Sequence, residues 1–183
     1  MRCKAVFKCL LPVLLFFIKG GGELFAQKTE VEVFDANNGL PQTYVCCLIQ
    51  DSKGFLWLGT HSGLCLYDGY QFTTFSNNPL DSLSLCNNFV KSIAEDKNGD
   101  IWVATLSGLS RYERATGKFI SYFSEPTNPA SLAGDKIYYV YVDREKNLWV
   151  HTPGTLNLYS YKSNDFTRFN YFNDLFTQPV ETD

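Results

Sequence analysis

The sequence has no excess of basic residues: 16 Lys and Arg stand against 19 Asp and Glu, a net charge of −3 over 183 residues. That excludes the electrostatic footprint of a nucleic-acid-binding protein. Long apolar runs are also missing. The longest covers residues 9–18, only ten residues and interrupted by Pro12, whereas a membrane span needs about 20. No Gly-rich phosphate loop and no Gly-x-Ser-x-Gly nucleophile motif is present. The two histidines, His61 and His151, stand at offsets +4 and +2 from their nearest tryptophans with no cysteine or serine motif beside them, and they read as rim histidines. Charged residues are sparse at 19%, yet 45% of the chain is hydrophobic and 16% aromatic, which excludes a disordered chain.

Cysteine is scarce too. Of six, Cys3 and Cys9 fall in residues 1–26, which read as an export signal. Arg2, Lys4 and Lys8 precede the apolar run, and a polar, glycine-rich stretch leads to Leu24-Phe25-Ala26, with cleavage expected after Ala26. The mature chain then keeps 12 basic and 18 acidic residues, a net charge of −6. Export permits disulfides, but Cys46, Cys47, Cys65 and Cys86 match no zinc spacing. Cys46 and Cys47 are neighbours on an expected strand and face opposite ways. The four are expected as reduced, partly buried small side chains.

What is present is a repeat. Trp57, Trp102 and Trp149 are separated by 45 and 47 residues. Asp51, Asp96 and Asp143 lie six residues before them, and Tyr67, Tyr112 and Tyr159 ten after. Leu48, Ile93 and Val140 lie nine before; Phe72, Phe119 and Phe166 follow at 15 to 17. In the first unit an apolar run (44–50), a turn (Asp51-Ser52-Lys53-Gly54), a second run (55–60), a turn at 61–63, a third run (64–67), the hairpin signal Asp68-Gly69 and a fourth run (70–75) give four short strands. The second and third units repeat this over 89–123 and 137–169. In the third, Lys146 replaces Gly54 and Gly99, and Gly154-Thr155 replaces the later turn glycine, so those turns are expected to differ in shape. The connections 76–88 and 124–136 are both 13 residues long, with Asn78-Pro79 then Ser82-Leu83 read as matching Asn128-Pro129 then Ser131-Leu132.

Four strands in about 45 residues is the pattern of a propeller blade. The fold class is therefore all-β, with about three four-stranded antiparallel blades. The expected divisions are signal 1–26, N-terminal strand and lead-in 27–43, blades at 44–75, 89–123 and 137–169, and the start of a further blade at 170–183. The tryptophans and tyrosines are expected as inter-blade packing, and the aspartates as turn caps rather than catalytic or calcium-binding carboxylates.

Segments 48–67 (LIQDSKGFLWLGTHSGLCLY) and 93–112 (IAEDKNGDIWVATLSGLSRY) resemble the two-component regulator propeller repeat, and Asn38-Gly39-Leu40-Pro41-Gln42 resembles its lead-in. The resemblance covers roughly residues 30–170. It implies the periplasmic sensor region of a hybrid two-component histidine kinase of the Bacteroidetes type, normally with seven-bladed propellers, sensing glycan breakdown products and controlling carbohydrate utilisation. The expected function is thus a non-catalytic sensor fragment in a phosphorelay; the kinase part is not in this sequence. Three blades fall short of the roughly 4 to 8 that close a ring, so the chain reads as a truncated gene product or an N-terminal fragment, whose expected partners are the remaining blades or a second copy. Residues 28–34 would pair into the last blade.

The expected ligand-facing rim comprises Tyr44, His61, Phe89, Lys91, Tyr138 and Tyr139, where the innermost strands begin. Lys91 is a charge in an otherwise apolar inner strand. The expected ligand is an oligosaccharide; no catalytic residue, cofactor or metal is assigned. The alternatives are an exported sialidase-like or lyase-like propeller enzyme and a protein-binding scaffold. Against the enzyme, Arg111, Arg114, Arg144 and Arg168 are not clustered as a carboxylate clamp.

Overall fold

The computed structural model describes Val33, Phe34, Leu40 and residues 44–170. The expected export signal and the segment 171–183 lie outside the described residues. Among the described residues there is no helix; twelve strands form three four-stranded antiparallel sheets, each a propeller blade. Blade 1 holds β1 (Val45–Gln50), β2 (Leu56–Thr60), β3 (Gly63–Tyr67) and β4 (Phe72–Phe75). Blade 2 holds β5 (Val90–Glu95), β6 (Ile101–Thr105), β7 (Leu109–Glu113) and β8 (Lys118–Tyr122). Blade 3 holds β9 (Tyr139–Val142), β10 (Leu148–Thr152), β11 (Thr155–Ser160) and β12 (Asp165–Asn170). Strands follow sequence order in every sheet, with β1, β5 and β9 side by side at the inner edge.

Each blade is locked by one aspartate. In blade 2, Asp96 Oδ1 accepts the backbone N–H groups of Asn98 (2.8 Å) and Asp100 (3.1 Å), while Oδ2 accepts the Trp102 indole N–H at 2.8 Å. Asp51 serves Lys53, Phe55 and Trp57 in the same way, and Asp143 serves Asn147 and Trp149. The aspartate therefore caps the β1–β2 type of turn and also anchors the tryptophan of the following strand. A buried indole N–H needs a partner, and the spacing of six supplies it.

Blades stack through aromatic rings. Tyr112 of blade 2 packs 5.2 Å from Trp57, and Tyr159 of blade 3 packs 4.6 Å from Trp102. Trp57 and Trp102 are buried as a result, whereas Trp149 is half-buried. The outer-strand aromatic of one blade also covers the Tyr/Phe pair of the next: Phe75 over Tyr112 and Phe119, Tyr122 over Tyr159 and Phe166. Phe34 covers Tyr67 and Phe72 at 4.9 and 5.3 Å in the same manner. It takes the place that a preceding blade's outer strand would fill.

Blades 1 and 2 are also joined across their turns. Arg114 donates to Asp51 Oδ2 at 2.8 Å, and Glu95 accepts from the Ser52 backbone N–H and hydroxyl at 2.7 Å each. Burial works to raise the Asp51 carboxyl, but the Trp57 indole N–H, the Arg114 guanidinium and the turn amides outweigh it and hold the group below the ordinary carboxylate range.

Two sequence expectations change, at the first turn of blade 3 and in the long connections. The first turn of blade 3 keeps its shape despite Lys146. Lys146 adopts a positive φ of 66° and donates to Asp143 O at 3.0 Å, as Gly99 does to Asp96 O. A non-glycine residue there carries strain of about 1–2 kcal/mol, held by the aspartate that organises the turn. In the second turn the left-handed residue moves to Gly154, but Thr152 Oγ1 still donates to Thr155 O, matching the bonds from Thr60 and Thr105 to Gly63 O and Gly108 O.

The long connections match in a different register. Ser84 and Ser131 are the equivalent residues: their hydroxyls accept from Asn78 N and Glu125 N and donate to Asp81 O and Asn128 O. Asp81 thus corresponds to Asn128. The shared property is a side-chain oxygen that caps a turn, given by either residue type, and the Asn-Pro dipeptide is incidental. Leu85 and Leu132, both fully buried, form one column with Leu40, 17 residues before each tryptophan; Leu83 is 43% exposed.

Candidate functional site

The inner strands begin on one face, beside the β2–β3 turn of blade 1. Tyr44, Phe89 and Lys136 each precede their blade's tryptophan by 13 residues, and Cys46, Lys91 and Tyr138 by 11. The repeat therefore sets six residues from three blades at the start of the inner strands, and four of them (Tyr44, Cys46, Lys91 and Tyr138) meet at one place. A depression of about 270 Å³ opens there, lined by Tyr44, Cys46, His61, Lys91, Tyr138 and Tyr139.

The aromatic contacts run across blade boundaries. His61, in the β2–β3 turn of blade 1, stacks on Phe89 of blade 2 with ring centroids 3.7 Å apart, and Tyr44 lies 4.9 Å from the same imidazole. On blade 3, His151 stacks on Tyr139 at 6.0 Å and lies 5.6 Å from Tyr138. Lys91 Nζ stands 4.8 Å over the Phe89 ring, and Lys136 Nζ 5.4 Å over Tyr138. Both distances are within cation–π range. Tyr44 and Tyr139 are 61% and 63% exposed, so two large aromatic faces meet solvent at the rim of the depression. Beneath it, Ser92 Oγ exchanges hydrogen bonds with the Val140 backbone at 3.2 Å, tying β5 to β9.

The structure places Tyr44, His61, Lys91, Tyr138 and Tyr139 together around the depression, with Phe89 behind His61. Cys46 belongs to the same lining and was missed in the sequence. Its offset from Trp57, equal to that of Lys91 from Trp102, was the available signal. Burial raises the Cys46 thiol, partly opposed by the Lys91 ammonium, and burial pushes Cys47 up to about 12. These thiols stay protonated near neutrality and offer no ready nucleophile. His61 and His151 are not repeat equivalents: the position of His151 in blades 1 and 2 is held by Gly59 and Ala104.

Among the described residues no group of three or more His, Cys, Asp or Glu is placed to hold a metal ion. Arg111, Arg114 and Arg168 are engaged within the fold. Arg111 donates to the Tyr159 hydroxyl, Arg114 bridges blades 1 and 2, and Arg168 donates to the carbonyls of Asn128, Ser131 and Leu132.

Residues 39–62 and 84–107 match the two component regulator propeller family. Two segments of the chain are thus similar to the two-component regulator propeller repeat. The matched segments open one residue before Leu40 and Leu85, on the buried leucine column, and end inside the threonine-capped turn. Over 86 residues the chain is 37% identical to a histidine kinase of Formosa agariphila, covering 46% of this chain and 6% of the kinase. The extracellular domain of the hybrid two component system BT3049 from B. thetaiotaomicron superimposes with a TM-score of 0.71 at 28% identity, covering 78% of this chain and 20% of that one. Virginiamycin B lyase from Staphylococcus aureus shares the fold at 19% identity and a TM-score of 0.56, over 79% of this chain and 46% of the lyase. The chain thus spans a small part of the histidine kinase and about a fifth of the hybrid-system domain. Its similarity to an extracellular domain accords with a location outside the cytoplasm, and no helix among the described residues is long and apolar enough to cross a membrane.

Proposed function

We propose that this chain is a non-catalytic sensor region of a hybrid two-component signalling protein, exported to the periplasm, and that it binds an oligosaccharide over the aromatic cluster at the inner edge of its blades. Sensing of such a glycan would then regulate carbohydrate utilisation. One observation carries the reading: aromatic side chains from blades 1 and 3, with Lys91 from blade 2 between them, converge on an open depression with two tyrosine rings left exposed. Sugar rings stack their C–H faces on such aromatics while nearby polar groups fix orientation. A ligand spanning Tyr44 and Tyr139 would touch blades 1 and 3 at once, so binding would favour one relative arrangement of blades. That is the physical requirement for transmitting occupancy.

The test is titration calorimetry of the full chain against a panel of plant and microbial oligosaccharides, repeated with Tyr44→Ala and Tyr139→Ala. Binding weakened about tenfold or more in each variant is expected. Failure of every oligosaccharide to bind, or binding indifferent to both substitutions, refutes the assignment.

A further inference from the structure

The inner strands of blades 1 and 2 carry a β-bulge at the same place. Pairing shifts between Val45 and Cys47 in β1, and between Val90 and Ser92 in β5, leaving Cys46 and Lys91 as the extra residues. A bulged residue escapes the strict alternation of a strand, and its side chain is re-aimed. Both point to the depression described above. In blade 2 the residue delivered this way is a lysine.

That lysine has an unusual setting. Among the described residues it forms no ion pair, and no Asp or Glu lines the depression. Its ammonium stands over Phe89, and a second ammonium, that of Lys136, stands over Tyr138 on the same face. A mildly acidic chain thus gathers two lysines and a histidine where its sugar-sized aromatic depression opens. A neutral sugar would partly desolvate the Lys91 ammonium and offer it only hydroxyls. An anionic group would give it a charge-assisted hydrogen bond.

We infer that the depression selects an acidic oligosaccharide, with a carboxylate or sulfate of the sugar seated at Lys91. This rests on the oligosaccharide reading above and narrows it to a chemical class. The bulge supplies the reach, the tyrosines the stacking surface, and the absence of lining carboxylates the charge preference.

The test measures affinities of the full chain for three probes of equal length: a neutral galacto-oligosaccharide, a sulfated galacto-oligosaccharide and an oligogalacturonate. At least one acidic probe should bind about tenfold more tightly than the neutral one, the size expected of one hydrogen bond to a charged group. Lys91→Met, which keeps the aliphatic stem, should remove that advantage, so that acidic and neutral probes bind the variant equally. Lys91→Arg should retain it. The two acidic arms separate carboxylate from sulfate recognition. Equal affinity for neutral and acidic probes, or an acidic preference that survives Lys91→Met, overturns the charge inference and leaves the oligosaccharide reading standing. Absence of binding by all three probes, as by the wider panel, overturns both.

Discussion

Replacing Asp96 by asparagine tests the logic of the blade in a single atom. Oδ1 of Asp96 accepts two backbone N–H groups of the turn, and Oδ2 accepts the Trp102 indole N–H at 2.8 Å. Asparagine has one acceptor oxygen and one NH₂ group. If its oxygen serves the turn, its NH₂ faces the indole N–H donor to donor; if it is flipped, two turn amides lose their acceptor. Asp96 is 6% exposed and Trp102 fully buried, so water cannot substitute. Leaving a buried donor unsatisfied costs about 1–3 kcal/mol. Asp96→Asn should therefore destabilise the chain by about 2 kcal/mol, a drop in Tm of roughly 4–10 °C for a domain of this size. Urea unfolding followed by tryptophan fluorescence reads the change. Trp102→Phe, which removes the N–H and keeps most of the ring, completes a double-mutant cycle whose coupling should be about 1–2 kcal/mol. An Asp96→Asn variant within about 0.5 kcal/mol of the parent, the range of ordinary surface changes, would refute the reasoning, as would an additive cycle.

Two further outcomes are expected. Leu85→Ala should cost about 2–5 kcal/mol as a core truncation, while Leu83→Ala, on a 43% exposed side chain, should stay within about 0.5 kcal/mol; urea midpoints of the two variants check the register of the long connections. The Asp51 carboxyl is held low by its partners in the folded chain, so its contribution to stability is complete above the unfolded value near 3.9 and fades as pH falls below about 4; stability curves between pH 6 and 2 should be flatter for Asp51→Asn than for the parent.

Much of the blade is legible in sequence because each column answers one local demand. Asp96 precedes Trp102 by six residues because a two-strand hairpin brings those positions together, and that spacing survives any change in the loops. The turn expectations at Lys146 failed for a related reason. Residue type suggested a different turn, but the aspartate's hydrogen bonds fix the backbone and Lys146 follows at positive φ. The loop register failed because Asn78-Pro79 and Asn128-Pro129 look alike, while the structure equates Asp81 with Asn128 through the cap each makes.

By itself the sequence determined the repeat and the strand order within each blade, because these depend on short-range spacing. The tertiary structure alone decided that Phe34 lies against Tyr67 as another blade's outer strand would, that Arg114 reaches Asp51 across a blade boundary, and that bulges turn Cys46 and Lys91 into one depression. Those contacts join residues far apart in the chain. Only the packing of one blade face against the next brings them together, and no spacing rule within a single repeat encodes it.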